Sequence, residues 1–289
     1  MVCGYRGYSY YYPEIQTADY TIKFIHNDFL QQAVDTGIIP MFMLIYLFAS
    51  NIVSKKCTDY QKEILVIMIL HMLLEFDMQF LVIHLIFVML LEEKEGKIKC
   101  FKIKKAKLTI ILLTIIQISI FSYFGISSFS EKYGNYEVAL NLLPNKTNSK
   151  IQKLKNVQNI SEAYEIANEL LKDNKYVLPA YMVKANYAYY TENWEQMVEN
   201  QKRVISLDKY DIKNYEEYIY IISNGLEKTI KQNKNEDTKF LIEQALNVVN
   251  ILEEVKKNTS QLAYKIIDKP ELELNEATKQ YLNVLENFD

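Results

Sequence analysis

The chain has three histidines, His26, His71 and His84, and each lies a short distance in sequence from a carboxylate: Asp28 near the first, Glu75 and Asp77 between the other two. A neutral imidazole, with a reference pKa of about 6.5, can accept or orient a proton, so the chemistry on offer is general acid–base assistance. Cys3, Cys57 and Cys100 are far apart and match no Cys/His ligand spacing. Neither a disulfide framework nor a metal site is expected, and no cofactor is called for. A net charge of −3 with only two arginines, Arg6 and Arg203, argues against a nucleic-acid partner.

These residues sit in a divided chain. Residues 1–124 hold nearly all the long apolar runs, whereas residues 125–289 are hydrophilic and carry 21 of the 33 Lys+Arg and 25 of the 36 Asp+Glu. Residues 1–12 show no basic segment followed by an apolar one, so no signal peptide is expected and insertion would use the spans themselves. Three apolar stretches stand out, 38–53, 64–91 and 108–124, the last without a charge. The middle stretch, as one helix at about 1.5 Å per residue, would reach roughly 42 Å against roughly 30 Å of hydrocarbon. Its centre holds Glu75 and Asp77. It reads either as one long helix or as a hairpin turning at 74–78. The lysines favour the hairpin: Lys55, Lys56 and Lys62 precede it, and Lys94, Lys97, Lys99, Lys102, Lys104, Lys105 and Lys107 follow it. Both loops then lie on the cytoplasmic side. The hairpin also lifts both acids from the bilayer centre, where each costs about 2.5–3.5 kcal/mol. The expected fold is all-α: about four spans (38–53, 62–74, 78–91, 108–124) after an outer loop, 1–36, and before a soluble helical domain, 125–289. The N-terminal loop and the C-terminal domain are both expected outside. The hairpin arms are short, which requires packing against other spans.

In the soluble half, an amphipathic run from Ser161 to Leu171 recurs in a second run starting at Trp194, at an offset of 34 residues. Ala163, Ala167 and Leu170 map onto Met197, Gln201 and Val204, and Lys175-Tyr176 onto Lys209-Tyr210. With Ala185 in the intervening helix and Asn193-Trp194 at the turn, this resembles the tetratricopeptide pattern. It is degenerate: Lys209 stands where that pattern has proline, and the period is lost after Tyr210 although three further helices are expected. A plain helical bundle is the alternative, and Tyr187, Tyr189 and Tyr190 read as packing.

His26-Asn27, nine residues and then Gly37 at the mouth of a span resemble the signature of the O-antigen ligase and polymerase family, membrane enzymes that move lipid-linked glycans. The stretch Gly7-Tyr8-Ser9-Tyr10-Tyr11-Tyr12-Pro13-Glu14-Ile15-Gln16 is similar to that family's outer loop. His71-Met72-Leu73-Leu74-Glu75-Phe76-Asp77-Met78 is similar to a segment of its polymerase-like members; Pro40 departs from the usual Gly or Thr. The resemblance implies metal-independent, inverting glycosyl transfer from an undecaprenyl-diphosphate-linked glycan to a sugar hydroxyl, at the outer face of a bacterial cytoplasmic membrane, in cell-surface polysaccharide synthesis. It implies His26 as catalytic, Asn27, Asp28, Gln31, Arg6, His71 and Asp77 as substrate-binding, and Gly37 as structural. Implied partners are a lipid-linked oligosaccharide, membrane lipids, an upstream-encoded multi-span subunit, and a protein or glycan for the helical repeats.

Each residue also has a plain reading. Asn27 or Asp28 caps a helix that runs into the span, and Gly37 eases a bend. His71, Glu75 and Asp77 are solvated turn residues, and His84, seven positions after Asp77, is a packed polar contact on the same face. Ahead of the first span only Arg6 and Lys23 are cationic, few for a diphosphate. Because family members have about ten or more spans, three readings stay open: one part of a split enzyme, an inactive remnant of one, or a membrane-anchored helical-repeat interaction module.

Overall fold

In a computed structural model of the chain, residues 7–91, 103–265 and 270–288 are described, with the side chains of 103–106 left aside. Among them every regular element is helical, and the chain divides into two units: 7–12 with 20–91, and 13–19 with 103–288. The first helix, α1 (Tyr8–Ile15), contributes its last turn to the second unit.

The first unit is built from α2 (Asp28–Thr36), α3 (Ile38–Val53), α4 (Asp59–Met72) and α5 (Leu81–Leu90). The start of α4 is set by a reciprocal cap, in which Gln61 N–H donates to the Thr58 hydroxyl and the Thr58 N–H donates to Gln61 Oε1. The stretch 64–91 is not one helix, because the chain leaves α4 after Met72 and α5 begins only at Leu81, separated by a single 3-10 turn, Asp77–Gln79. The break is therefore wider than the expected 74–78. Asp77 and His84 consequently share no continuous helix face. Phe29, Phe48, Leu65, Met72 and Phe87 form the core, with the rings of Phe48 and Phe87 stacked at 4.4 Å. The outward faces stay apolar: Ile39 is 71% exposed, Leu81 73% and Met89 81%. Contiguous apolar surface of this kind marks a place that another apolar phase or protein covers.

The second unit opens with α6 (Ile103–Lys132), a continuous helix through Gly125, so no break separates the apolar stretch 108–124 from the residues that follow. Its segment Lys107–Lys132 is the one helix among the described residues long and apolar enough to cross a membrane by itself. Then come α7 (Tyr136–Leu142), α8 (Thr147–Asn156), α9 (Ile160–Asp173), α10 (Leu178–Tyr190), α11 (Trp194–Leu207), α12 (Ile212–Lys231), α13 (Asn235–Asn258) and α14 (Glu276–Glu286). Asparagines start many of these helices: Asn135, Asn159, Asn193 and Asn275 each accept a first-turn backbone N–H.

The 34-residue period is visible in the helices themselves, since α9 and α11 have 14 residues each and start at Ile160 and Trp194, while α10 and α12 start at Leu178 and Ile212. The six residues paired by the offset within α9 and α11 (Ala163, Ala167, Leu170, Met197, Gln201 and Val204) are all buried, and of the Lys-Tyr pairs that follow only Tyr210 is. The period fails because α12 has 20 residues where α10 has 13. Its extra length carries Gly225, Leu226 and Thr229 into the core, and α13 starts correspondingly late. Tyr215 and Tyr218, fully buried, keep their hydroxyls on the Lys209 and Gln244 carbonyls. Burial raises both phenols well above their ordinary pKa.

Gly225 lets α12 approach Trp194 and Leu241: a Cβ there would meet Trp194 Cζ3 at 3.1 Å and Leu241 Cδ1 at 3.2 Å. Alanine ordinarily stabilises a helix interior by about 0.5–1 kcal/mol. Here overpacking costs about 1–3 kcal/mol and outweighs it. Gly225→Ala is expected to lower the urea midpoint, read from the fluorescence of the single tryptophan; an unchanged or higher midpoint would show that the indole gives way.

Candidate functional site

His26-Asn27-x9-Gly37 has a local explanation in helix geometry. Asn27 Oδ1 accepts the Leu30 N–H at 2.9 Å, α2 runs for nine residues, and the Gly37 N–H closes it on Ala33 O. The spacing is thus the length of one capped helix. At φ 110° and ψ 168°, Gly37 lies in a region that is essentially reserved for glycine, and it separates α2 from α3. The expected helix running unbroken into the apolar stretch is replaced by two helices with a sharp joint.

What joins this segment to the break after α4 is a set of contacts about fifty residues apart in sequence. Asn27 Nδ2 donates to Leu73 O at 3.1 Å, and Asp28 Oδ2 accepts the Met78 N–H at 2.9 Å. His26 Nδ1 lies 3.2 Å from Glu75 Oε2, and the His26 ring meets Phe76 edge-on at 5.2 Å. Phe76 in turn stacks on Phe24 at 5.4 Å. The imidazole and Glu75 are 59% and 46% exposed at their side chains. With Nδ1–H donated to the carboxylate, the lone pair of Nε2 becomes the base and faces outward from the pair.

The remaining residues fall into place around this pair. His71 Nδ1 pairs with Asp77 Oδ2 beside the site, tying the end of α4 to the 3-10 turn. Gln31 is 2% exposed, and its amide is engaged with the Ile25 N–H and with Asp35 Oδ2, so it braces the approach to α2. His84 contacts Phe80 O from the start of α5. Arg6 lies outside the described residues, as do Lys94, Lys97, Lys99 and Lys102, while Lys104, Lys105 and Lys107 fall in the first turns of α6. The sequence reading weighed Glu75 only with the turn, and it missed the ring partnership of Phe76 with Phe24 and His26. The one available signal was the Phe24/His26 spacing of two, which puts both rings on one side of an extended segment.

Below Asn27 an apolar recess of about 620 Å³ opens along Phe29, Leu30, Phe48, Ile52, Ile69 and Leu73. Asp28, 3% exposed, has its other oxygen, Oδ1, without a hydrogen-bond partner in this arrangement. Burial pushes its carboxyl up to about 6; the backbone N–H groups of Met78 and Asp77 oppose this, and the charge of Asp77 adds to it. Comparison with protein-family models, with curated proteins and with solved structures gives no match.

The Asp28 shift has a definite sign. A carboxyl whose pKa is raised on folding stabilises the fold fully below its ordinary value of 3.8 and loses that contribution as pH rises through about 6. Asp28→Asn, which keeps an acceptor for Met78, is expected to remove this pH dependence and to be more stable than the parent above pH 6, by on the order of 2 kcal/mol. Thermal melts in detergent from pH 4 to 8 measure it; parallel curves for the two chains would refute the assignment. Gly37→Ala is expected to lower stability by about 1–3 kcal/mol through backbone strain alone in the same melts, and an unchanged melt would contradict it.

Proposed function

We propose that this chain is a membrane glycosyltransferase component resembling the O-antigen ligases and polymerases, working at the outer face of a bacterial cytoplasmic membrane on glycans carried by undecaprenyl diphosphate. One observation carries the reading: His26 and Glu75, drawn from two separate sequence segments with family resemblance, meet at 3.2 Å on an exposed rim. In the proposed reaction the acceptor sugar hydroxyl gives its proton to His26 Nε2 as its oxygen attacks the anomeric carbon. The bond from that carbon to the diphosphate breaks, and undecaprenyl diphosphate leaves with the electron pair. Glu75 holds Nδ1–H and favours the imidazolium that forms.

The surroundings support this assignment in physical terms. The apolar recess below Asn27 is suited to a segment of polyprenyl chain, with its head at the polar rim. The exposed apolar faces of α3, α5 and α6 suit hydrocarbon. In the four-span reading, α3, α4, α5 and α6 are the spans. At about 1.5 Å per residue, α5 reaches only about 15 Å. The turn after α4, with His71, Glu75 and Asp77, then sits recessed in the outer leaflet, and Lys55, Lys56 and Lys62 lie inside. The repeats of the second unit fit a tetratricopeptide-like domain outside the membrane.

In the native cell, His26→Ala is expected to cut surface-polysaccharide formation at least about 100-fold, and Glu75→Gln about tenfold through loss of ring orientation, with chain levels in the membrane unchanged. Wild-type polysaccharide in the His26→Ala strain ends the enzymatic reading and leaves the chain as a membrane-anchored repeat module.

A further inference from the structure

Lys209 departs from the repeat pattern, and the structure gives it a role. Its 34-residue counterpart, Lys175, is exposed, whereas Lys209 is partly buried with its ammonium 3.1 Å from the backbone carbonyl of Glu14. Arg203 donates to Glu14 Oε1 at 2.6 Å, and the pairing with Glu14 raises the guanidinium's pKa. Three residues on, Ser260 N–H donates to Thr17 O at 2.7 Å. Ala18 is fully buried and Gln16 is 9% exposed. Pro13–Asp19 therefore belongs to the second unit as a strap lying between α11 and the C-terminal end of α13. The hold is at its Glu14 end, since Asp19 faces Asp208 and adds to the burial that raises that carboxyl.

We propose that the helical repeats are a receptor for an acidic peptide segment, a helix end and the bend that follows it, and that its occupant is the chain's own strap, Pro13–Asp19. Arg203 and Lys209 recognise the carboxylate and the carbonyl of Glu14 as a charge-assisted pair of contacts.

The test uses the full-length chain. For the strap, Thr17→Cys and Ser260→Cys are combined with Cys3→Ser, Cys57→Ser and Cys100→Ser, and the intramolecular disulfide is read as a mobility shift under mild oxidant. A high yield that Arg203→Glu reduces is expected; no cross-link overturns the strap. Glu14→Arg and Arg203→Glu are each expected to lower the cross-link yield at least about threefold, and the double swap to recover most of the loss. Single variants equal to the parent, or a double swap no better than either single, overturn the recognition of Glu14 by Arg203.

Discussion

A buried carboxylate accepting one backbone N–H, Asp28 on Met78, is the interaction on which the candidate site depends. The break between α4 and α5 frees backbone groups that a continuous helix would have satisfied internally, and a freed N–H away from water must find an acceptor. Asp28 supplies it at 2.9 Å, and Asn27 supplies a donor to the Leu73 carbonyl on the same turn. These two contacts fix the register between segments about fifty residues apart. The His26–Glu75 pair is placed by that register and is itself solvent-accessible, so it adds little holding energy. Anchoring is therefore carried by residues 27–28, next in the chain to the proposed base, His26.

Much of the helical architecture was legible because it is written locally. Asn193-Trp194 marked a helix start, and the three residue pairs at an offset of 34 that fall within α9 and α11 are all buried. The end of the period after Tyr210 was legible too, though its cause was not: a helix seven residues longer is a packing decision made against Trp194 and Leu241. In the apolar half, hydropathy identified the stretches, and the charges near the centre of 64–91 identified the discontinuity. Its width depends on Asp28 and His71 reaching residues of the turn, which no window of sequence contains.

The site was legible residue by residue but not as pairs. His26, Asn27, Asp28 and Asp77 were named through the family resemblance and Glu75 through its place in an apolar stretch, yet the partner of each is a tertiary fact. Gln31 shows the opposite risk. The resemblance implies a substrate contact for it, whereas its amide is engaged with Ile25 and Asp35. The spacing from Asn27 to Gly37 has the same character, since a cap at each end of a nine-residue helix accounts for it.

The strap has a consequence for how the chain is made. Glu14 and Arg203 are 189 residues apart. At synthesis rates of roughly 5–20 residues per second, the strap exists for roughly 10–40 seconds before its guanidinium partner does. During that interval Pro13–Asp19 has no receptor. Its composition, one proline, two acids and three other small or polar residues around a single isoleucine, lets it wait in water without offering an adhesive strand. The second unit can bury Ala18 only after its partners as far as Ser260 have been synthesised, so closure of the strap is a late, long-range step that follows folding of the helices between.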